Sequence, residues 1–224
     1  MKRVLVLRPE PSAKETVSKA RQRGLDALAL PLFKIEPVAW DMPDLSRFDA
    51  LLLTSANAVR RGGAGLAHLQ GLPVHAVGNA TADAARNAGF AVASTGDAGV
   101  DALLASLEPG LRLLHLCGED RRAPADARRE IRSLVVYRSR ESSVPNISAA
   151  KDCVALIHSP RAGRRFAGLI DQAGVDRGRI GIVAISPAAA EAADGGWAAV
   201  AAAETPNDDA LLALAERLCN KLGT

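Results

Sequence analysis

Six short loops of the sequence carry groups that suit anion binding, and each of them follows an apolar run. They are rich in serine, threonine, asparagine and glycine and span residues 8–12, 55–58, 78–81, 117–122, 159–161 and 186–189. A helical pattern follows each loop, so the loop amides would lie at a helix N-terminus, where unpaired N–H groups attract carboxylates and phosphates. A hydroxyl there can equally well do no more than cap its helix. Both interpretations stay open at every loop.

Other kinds of chemistry find little support in the motifs. The sequence has no P-loop and no Gly-x-Ser-x-Gly elbow, its four histidines lack metal-ligand spacing, and its three cysteines are widely separated. We therefore expect no metal, no redox cofactor, no disulfide framework and no activated nucleophile. We expect the histidines to be packing residues, and the pair Asp208 and Asp209 to cap a last helix over residues 209–222.

The composition and charge of the chain argue against nucleic-acid and membrane partners. The chain has 224 residues, 28 Lys+Arg, 25 Asp+Glu and a formal net charge of +3, and aromatic residues make up only 3%. The basic residues are dispersed, whereas nucleic-acid binders gather them into patches and stack bases on aromatic rings. No run approaches the roughly 18 apolar residues of a membrane span, and no signal-peptide core follows Met1. We expect a cytoplasmic protein without nucleic-acid or membrane partners.

The elements that must position these loops form a regular alternation. Continuously apolar runs separated by helical stretches are typical of parallel strands that are covered on both faces of a sheet. Ten strands are predicted, at residues 4–7, 27–30, 50–53, 74–77, 91–93, 113–116, 134–137, 154–157, 181–185 and 199–203. In such a sheet the carboxyl ends of the strands carry the ligand-binding loops.

The second half of the sequence repeats the first at offsets of 104 to 109 residues. Residues 4–10, 51–58, 74–82 and 101–105 correspond to residues 113–119, 155–162, 182–190 and 209–213. Each half therefore holds five of the ten strands. The repeat predicts an α/β protein with two doubly wound, parallel, five-stranded domains of the flavodoxin-like kind.

Eight short segments are also similar to those of a known family. They lie at residues 4–10, 30–37, 48–59, 77–82, 116–121, 135–138, 158–161 and 184–187, with motifs such as Val4-Leu-Val-Leu-Arg-Pro-Glu10 and His158-Ser-Pro-Arg161. Together, and in this order over nearly the whole chain, they resemble the uroporphyrinogen-III synthase family. One loop departs from the family pattern, because Ala188 and Ala189 stand where threonines are expected. That departure removes two hydroxyl contacts.

The resemblance implies a particular domain arrangement. Domain one would comprise residues 1–37 and 141–224, and domain two residues 38–140. A two-stranded β connection at about 34–40 and 137–141 would join them, with the active site in the cleft between the domains. Two crossings of the chain form a hinge, so domain closure around a ligand is expected.

The resemblance also implies a reaction. The family cyclises hydroxymethylbilane, a linear tetrapyrrole with eight carboxylates, to uroporphyrinogen III, with inversion of ring D and loss of water. It uses no cofactor and no metal, and we expect a monomer. Loss of the ring A hydroxyl would give an azafulvene cation, which ring D attacks to form a spiro intermediate that fragments and recloses. The enzyme would mainly hold the substrate folded for that attack.

Site residues follow by position in the matching segments. Tyr137 would assist departure of the ring A hydroxyl, since a phenol stays protonated at neutral pH and can donate a hydrogen bond. The alternative is a strand-end tyrosine that bridges core and solvent. The groups expected to bind acetate and propionate side chains belong to Arg8, Ser55, Asn57, Gly78, Asn79, Thr81, Gly118, Arg121, Ser159, Arg161 and Ser186.

Two other classes of protein remain as alternatives. One is a non-catalytic protein that closes on a hinge around an anionic metabolite. The other is a flavodoxin-like nucleotide or regulator module, which would require a phosphoacceptor aspartate at a strand end. No aspartate of the sequence fits that position convincingly.

Overall fold

The structure is a computed structural model that describes residues 2–120, 124, 126, 128–143 and 147–222. Contacts between Cα atoms divide the chain into two units, one of Met1–Lys34 with Glu141–Thr224 and one of Ile35–Arg140. The first crossing lies three residues before the expected boundary at residue 37. The reason is hydrogen bonding, because residues 35–37 belong to a strand that joins the sheet of the second unit.

The described part of the chain contains eleven strands and seven α-helices. The strands are β1 (Arg3–Val6), β2 (Ala27–Ala29), β3 (Phe33–Pro37), β4 (Ala50–Leu53), β5 (Val74–Val77), β6 (Val92–Gly96), β7 (Leu113–Gly118), β8 (Ile131–Glu141), β9 (Cys153–Ile157), β10 (Gly181–Ala184) and β11 (Ala199–Ala202). The helices are α1 (Ser12–Gln22), α2 (Ala56–Arg61), α3 (Asn79–Asn87), α4 (Val100–Ser106), α5 (Pro160–Gln172), α6 (Pro187–Glu191) and α7 (Asp208–Leu222).

The first unit contains a five-stranded parallel sheet in the order β11-β10-β9-β1-β2. Alternate residues of β1 point to opposite faces, so Leu5 packs with Phe166 of α5 on one face and Val4 packs with Val17 of α1 and Leu211 of α7 on the other. Burial on both faces explains why these strands read as unbroken apolar runs.

The second unit contains a six-stranded sheet in the order β3-β8-β7-β4-β5-β6, whereas five strands were expected. The pairs from β8 to β6 are parallel. The additional strand β3 runs antiparallel to β8, as the backbone hydrogen bonds from Val38 to Val136 and from Ser142 to Leu32 require. Because of this pairing, β8 is one continuous strand over Ile131–Glu141 rather than the two short strands that were expected.

The two sheets place equivalent strands of the repeat at equivalent positions. Strands β2-β1-β9-β10-β11 of one sheet correspond in order to β8-β7-β4-β5-β6 of the other. Each sheet therefore combines the first two strands of one half of the chain with the last three strands of the other half. This exchange requires the chain to pass between the units twice, which it does along β3 and β8.

Candidate functional site

Tyr137 lies at the carboxyl edge of the sheet in the second unit. It stands opposite Gly118, the last residue of the neighbouring strand β7. A methyl group on Gly118 would lie 2.7 Å from Cε2 and Cζ of Tyr137 and 3.0 Å from its hydroxyl. The phenol ring therefore rests directly on the Gly118 backbone, and any larger residue there would displace it.

The Ser55 side chain lies near the Tyr137 hydroxyl. Burial raises the pKa of Tyr137 above its usual value of 10.0, and the interaction with Ser55 only partly opposes that effect. The phenol is thus fully protonated near pH 7 and can act as a donor. Ser55 also caps α2, because its Oγ accepts a hydrogen bond from the Asn57 amide at 3.2 Å.

A buried histidine supports this edge of the sheet and was not predicted to take part. His115 of β7 has its Nε2 3.0 Å from Oγ1 of Thr54 and its Nδ1 3.4 Å from Oγ of Ser133. The first contact fixes the residue next to Ser55. Sequence spacing identified His115 only as a packing residue, since its partners lie 61 and 18 residues away.

The loop after β5 brings three further predicted residues to the same edge. Gly78 has φ 81°, which favours glycine, and it precedes α3 without a side-chain cap. Its carbonyl accepts hydrogen bonds from the amides of Thr81 and Ala82 at 3.1 Å. Asn79 is exposed and Thr81 is buried. Because β8, β7, β4 and β5 are consecutive in the sheet, these residues continue the row formed by Tyr137, Gly118 and Ser55.

In the first unit, Ser159 and Ser186 are both helix caps. Ser159 Oγ accepts from the Ala162 amide at 3.2 Å at the start of α5, and Ser186 Oγ accepts from the Ala189 amide at 3.3 Å at the start of α6. Both residues have the extended backbone of an N-cap. A capping hydroxyl uses only its oxygen as acceptor, so its proton is still available for a carboxylate.

Arg8, two residues after the end of β1, binds an aspartate of its own chain. Its Nη1 donates to Oδ1 and Oδ2 of Asp208 at 3.0 and 3.1 Å and to Oγ1 of Thr16 at 3.3 Å. The buried hydroxyl of Thr16 in turn donates to Asp208 Oδ2 at 2.8 Å. Asp208 does not cap α7 as expected, because Asn207 Oδ1 takes the amide of Ala210 at 2.8 Å.

His158 completes this cluster. Its Nε2 lies 3.4 Å from Asp208 Oδ1, within ion-pair distance, yet neither ring nitrogen makes a well-formed hydrogen bond to a described residue. Burial alone would raise the pKa of the Asp208 carboxyl, but the contacts with His158, Arg8 and Thr16 together hold it well below its usual range. Asp208 is therefore ionised at any physiological pH.

The remaining predicted arginines differ in placement. The Arg161 guanidinium lies over the ring of Phe33 at 4.5 Å from its centroid, and Arg165 lies 5.7 Å from the same centroid. Arg161 lines a 310 Å³ surface groove with Arg164 and Arg165. Arg121 lies outside the described residues.

Two negative findings hold for the described residues. They contain no group of three or more histidine, cysteine, aspartate or glutamate side chains able to hold a metal ion. Among the same residues, every helix is too short or too polar to cross a membrane.

Comparison with known proteins identifies related sequences and folds. A uroporphyrinogen-III synthase from Chlorobaculum parvum is 43% identical over 61 residues, which cover 27% of this chain. The aligned segment spans only 25% of that relative's length.

The fold is similar to that of uroporphyrinogen-III synthetase from Helicobacter pylori, with a TM-score of 0.65 and 18% identity over 97% of this chain and 100% of that one. It is also similar to a mutant uroporphyrinogen III synthase from the extremely thermophilic bacterium Thermus thermophilus, with a TM-score of 0.52 and 19% identity over 99% of this chain and 100% of the other.

A family model described as uroporphyrinogen-III synthase HemD matches residues 14–213, which is most of the sequence. The resemblance that eight short segments indicated is thus confirmed by a match along nearly the full length. This chain belongs to the uroporphyrinogen-III synthase family.

Proposed function

We propose that this protein is a uroporphyrinogen-III synthase, a lyase that cyclises hydroxymethylbilane to uroporphyrinogen III with inversion of ring D and loss of water. Membership of the family supports the reaction class. The observation that carries the proposal in this chain is the protonated phenol of Tyr137, which packs on Gly118 near Ser55 at the carboxyl edge of a parallel sheet.

Tyr137 is proposed to assist the first step. The C–O bond of the ring A hydroxymethyl group breaks as the pyrrole nitrogen supplies electrons, and the phenol donates a hydrogen bond or proton to the departing oxygen. The cation that forms is attacked by ring D through its substituted carbon. A proton given to the leaving water is balanced by the proton that ring D loses when it regains aromaticity.

The eight carboxylates are proposed to bind to backbone amides, hydroxyls and arginines at the strand ends. In the second unit these groups belong to Ser55, Asn57, Gly78, Asn79, Thr81 and Gly118. In the first unit they belong to Arg8, Ser159, Arg161 and Ser186, and Arg121 joins the set by its position in the sequence. Helix N-termini and arginines favour negative charge without needing a metal.

Several finer features belong to the same proposal. We propose that both units contribute to one substrate site, and that the enzyme works as a cytoplasmic monomer without nucleic-acid or membrane partners. The order β2-β1-β9-β10-β11 supports a flavodoxin-like description of the first unit. The equivalent placement of strands supports the same description of the second.

Catalysis can be separated from binding alone by following both substrate and product. Enzyme in excess over freshly prepared hydroxymethylbilane should consume it faster than its spontaneous cyclisation and release a macrocycle. A hinge-closing binding protein would instead protect the linear tetrapyrrole and delay its cyclisation. Slower loss of substrate than in buffer would therefore contradict the proposed activity.

A further inference from the structure

The cluster around Asp208 lies in the row of strand ends to which a predicted substrate-binding arginine belongs. Strands β1 and β9 pair with Val6 opposite Leu156, so two residues further on Arg8 and His158 leave the sheet at the same level. Asp208, the first residue of α7, contacts both of them. Three segments that are up to 200 residues apart in sequence thus meet at one carboxylate.

This arrangement uses only part of the Arg8 guanidinium. All of the side-chain hydrogen bonds that Arg8 makes with described residues go through Nη1, to Asp208 and to Thr16. Among those residues, Nη2 and Nε have no hydrogen-bond acceptor, and 30% of the side chain is exposed. The outer N–H groups of Arg8 therefore remain available for a second carboxylate, and the bond to Asp208 limits where they can point.

Asp208 is largely buried, although it is not the residue that caps α7. Its side chain is 17% exposed, and Asn207, not Asp208, caps α7. An ionised carboxylate is costly to bury unless its partners compensate for the lost water, and here the hydrogen bonds from Arg8 and Thr16 do so. The His158 ring lies beside the same carboxylate, with Nε2 3.4 Å from Oδ1.

We propose that Asp208 is a positioning residue for substrate binding. It holds Arg8 in advance, so that the outer guanidinium N–H groups meet an acetate or propionate carboxylate of the tetrapyrrole, and it does not touch the substrate itself. This inference rests on the proposed function. Fixing a long side chain before binding reduces the entropy that binding must offset, which corresponds to about a 3- to 10-fold gain in affinity.

The test compares Asp208→Asn with Asp209→Asn. Asp209 is a matched control, because it is adjacent, is largely exposed and pairs with Arg23 outside the cluster. With the cyclisation assay run below both melting temperatures, D208N should raise KM about 3- to 10-fold with kcat within about twofold of wild type. D209N should leave both constants unchanged. A purely structural role would lower the active fraction and Vmax at constant KM, and that result would overturn the inference.

A double-mutant cycle tests whether Asp208 acts through Arg8. Arg8→Lys keeps the charge but removes the forked N–H groups. If the two residues form one unit, the double variant R8K/D208N should have nearly the KM of R8K alone. Independent, multiplicative increases in KM would contradict a positioning role.

A binding measurement separates this inference from the proposed function. Uroporphyrin III carries eight carboxylates and does not react, so its dissociation constant can be measured whether or not the protein turns over. If D208N weakens uroporphyrin binding and D209N does not, while wild type forms no type III product, the proposed function fails and the positioning role stands. If wild type is active but D208N equals D209N in KM and dissociation constant, the positioning role alone fails. A wild type that neither reacts nor binds would overturn both.

Discussion

Tyr137 is the side chain on which the proposed chemistry depends most. Tyr137→Phe keeps the ring against Gly118 but removes the hydroxyl, so the fold should be retained while departure of the ring A hydroxyl slows. Removing a general acid typically costs about 10²- to 10⁴-fold, and we expect at least a tenfold loss in the single-turnover rate. The rate is measured with enzyme in excess, and unchanged turnover would remove Tyr137 from the mechanism.

Gly118 is predicted to be as important as the tyrosine that it supports. Gly118→Ala places a methyl group 2.7 Å from the Tyr137 ring, so the ring must move, at a cost of about 1–3 kcal/mol in the free energy of unfolding and with loss of activity. Gly168→Ala is the matched control, because, apart from its two neighbours in the chain and the backbone of α5, no atom of a described residue lies within 4 Å of the added methyl group. The control should unfold at the same or a slightly higher temperature. Equal activity of the two variants would show that Gly118 does not position Tyr137.

The family resemblance, carried over by position, predicted Tyr137, Ser55 and Gly118 as site residues, and the structure places Gly118 and Ser55 beside Tyr137. Neither the resemblance nor the residue spacing predicted the partners of Arg8. A carboxylate 200 residues away becomes visible only when the strand register is known, and Asp208 looked like a helix cap because it stands at a helix start. The usual N-cap residue types include asparagine, so Asn207 could have been preferred from sequence.

The serine that caps α5 allows helix capping to be tested separately from substrate binding. Ser159→Asp keeps an acceptor for the Ala162 amide, so the melting temperature should stay close to that of wild type. The new negative charge would repel a substrate carboxylate, and KM should rise at least about tenfold. Ser159→Ala, in contrast, should lose about 0.5–2 kcal/mol of stability. A S159D variant with wild-type KM would mean that Ser159 only caps α5.

Apolar runs predicted the buried strands well. The two features that they did not predict, strand β3 and the full length of β8, both depend on strand pairing. A run of β-branched and aliphatic residues gives the existence of a buried strand, but its end depends on which neighbour continues the hydrogen bonding. Strand β8 extends to Glu141 because β3 pairs with it, and β3 itself alternates buried and exposed residues instead of forming an apolar run. Both facts depend on a partner that is far away in sequence.

The Asp208 cluster makes the free energy of unfolding of the protein depend on pH. The contacts with Arg8, His158 and Thr16 keep the folded-state pKa of Asp208 below its unfolded value near 3.8. The stabilisation is therefore fully present above about pH 4 and is lost as the pH falls through the lower folded-state pKa. Asp208→Asn should lower the free energy of unfolding by about 1–3 kcal/mol at pH 7.

Thermal unfolding between pH 7 and pH 2 checks this linkage. The difference in melting temperature between wild type and D208N should be largest at neutral pH and should narrow below about pH 4. At low pH the wild-type carboxylate becomes protonated and loses its charge, and D208N has no charge at this position at any pH. D209N should follow wild type over the whole range, since its exposed pair with Arg23 contributes little. A difference in melting temperature that stays constant down to pH 2 would contradict a stabilising role for the ionised Asp208 carboxylate.

The internal repeat predicted two parallel sheets because it doubles one pattern of strands and helices. It does not indicate which strands share a sheet, since either half could close on itself. The resemblance to a family suggested that the first two strands join the last three, and the sheet orders have that arrangement. The sixth strand of the second sheet was beyond prediction from the repeat, because β3 has no counterpart among its ten strands.

The isomer ratio of the product tests the central claim most directly. Hydroxymethylbilane is incubated with a molar excess of the protein, the products are oxidised, and the type I and type III uroporphyrins are separated beside a sample without protein. The proposed function predicts that type III predominates and that its fraction increases with protein concentration. Type I product in the same proportion as in the control without protein would contradict it.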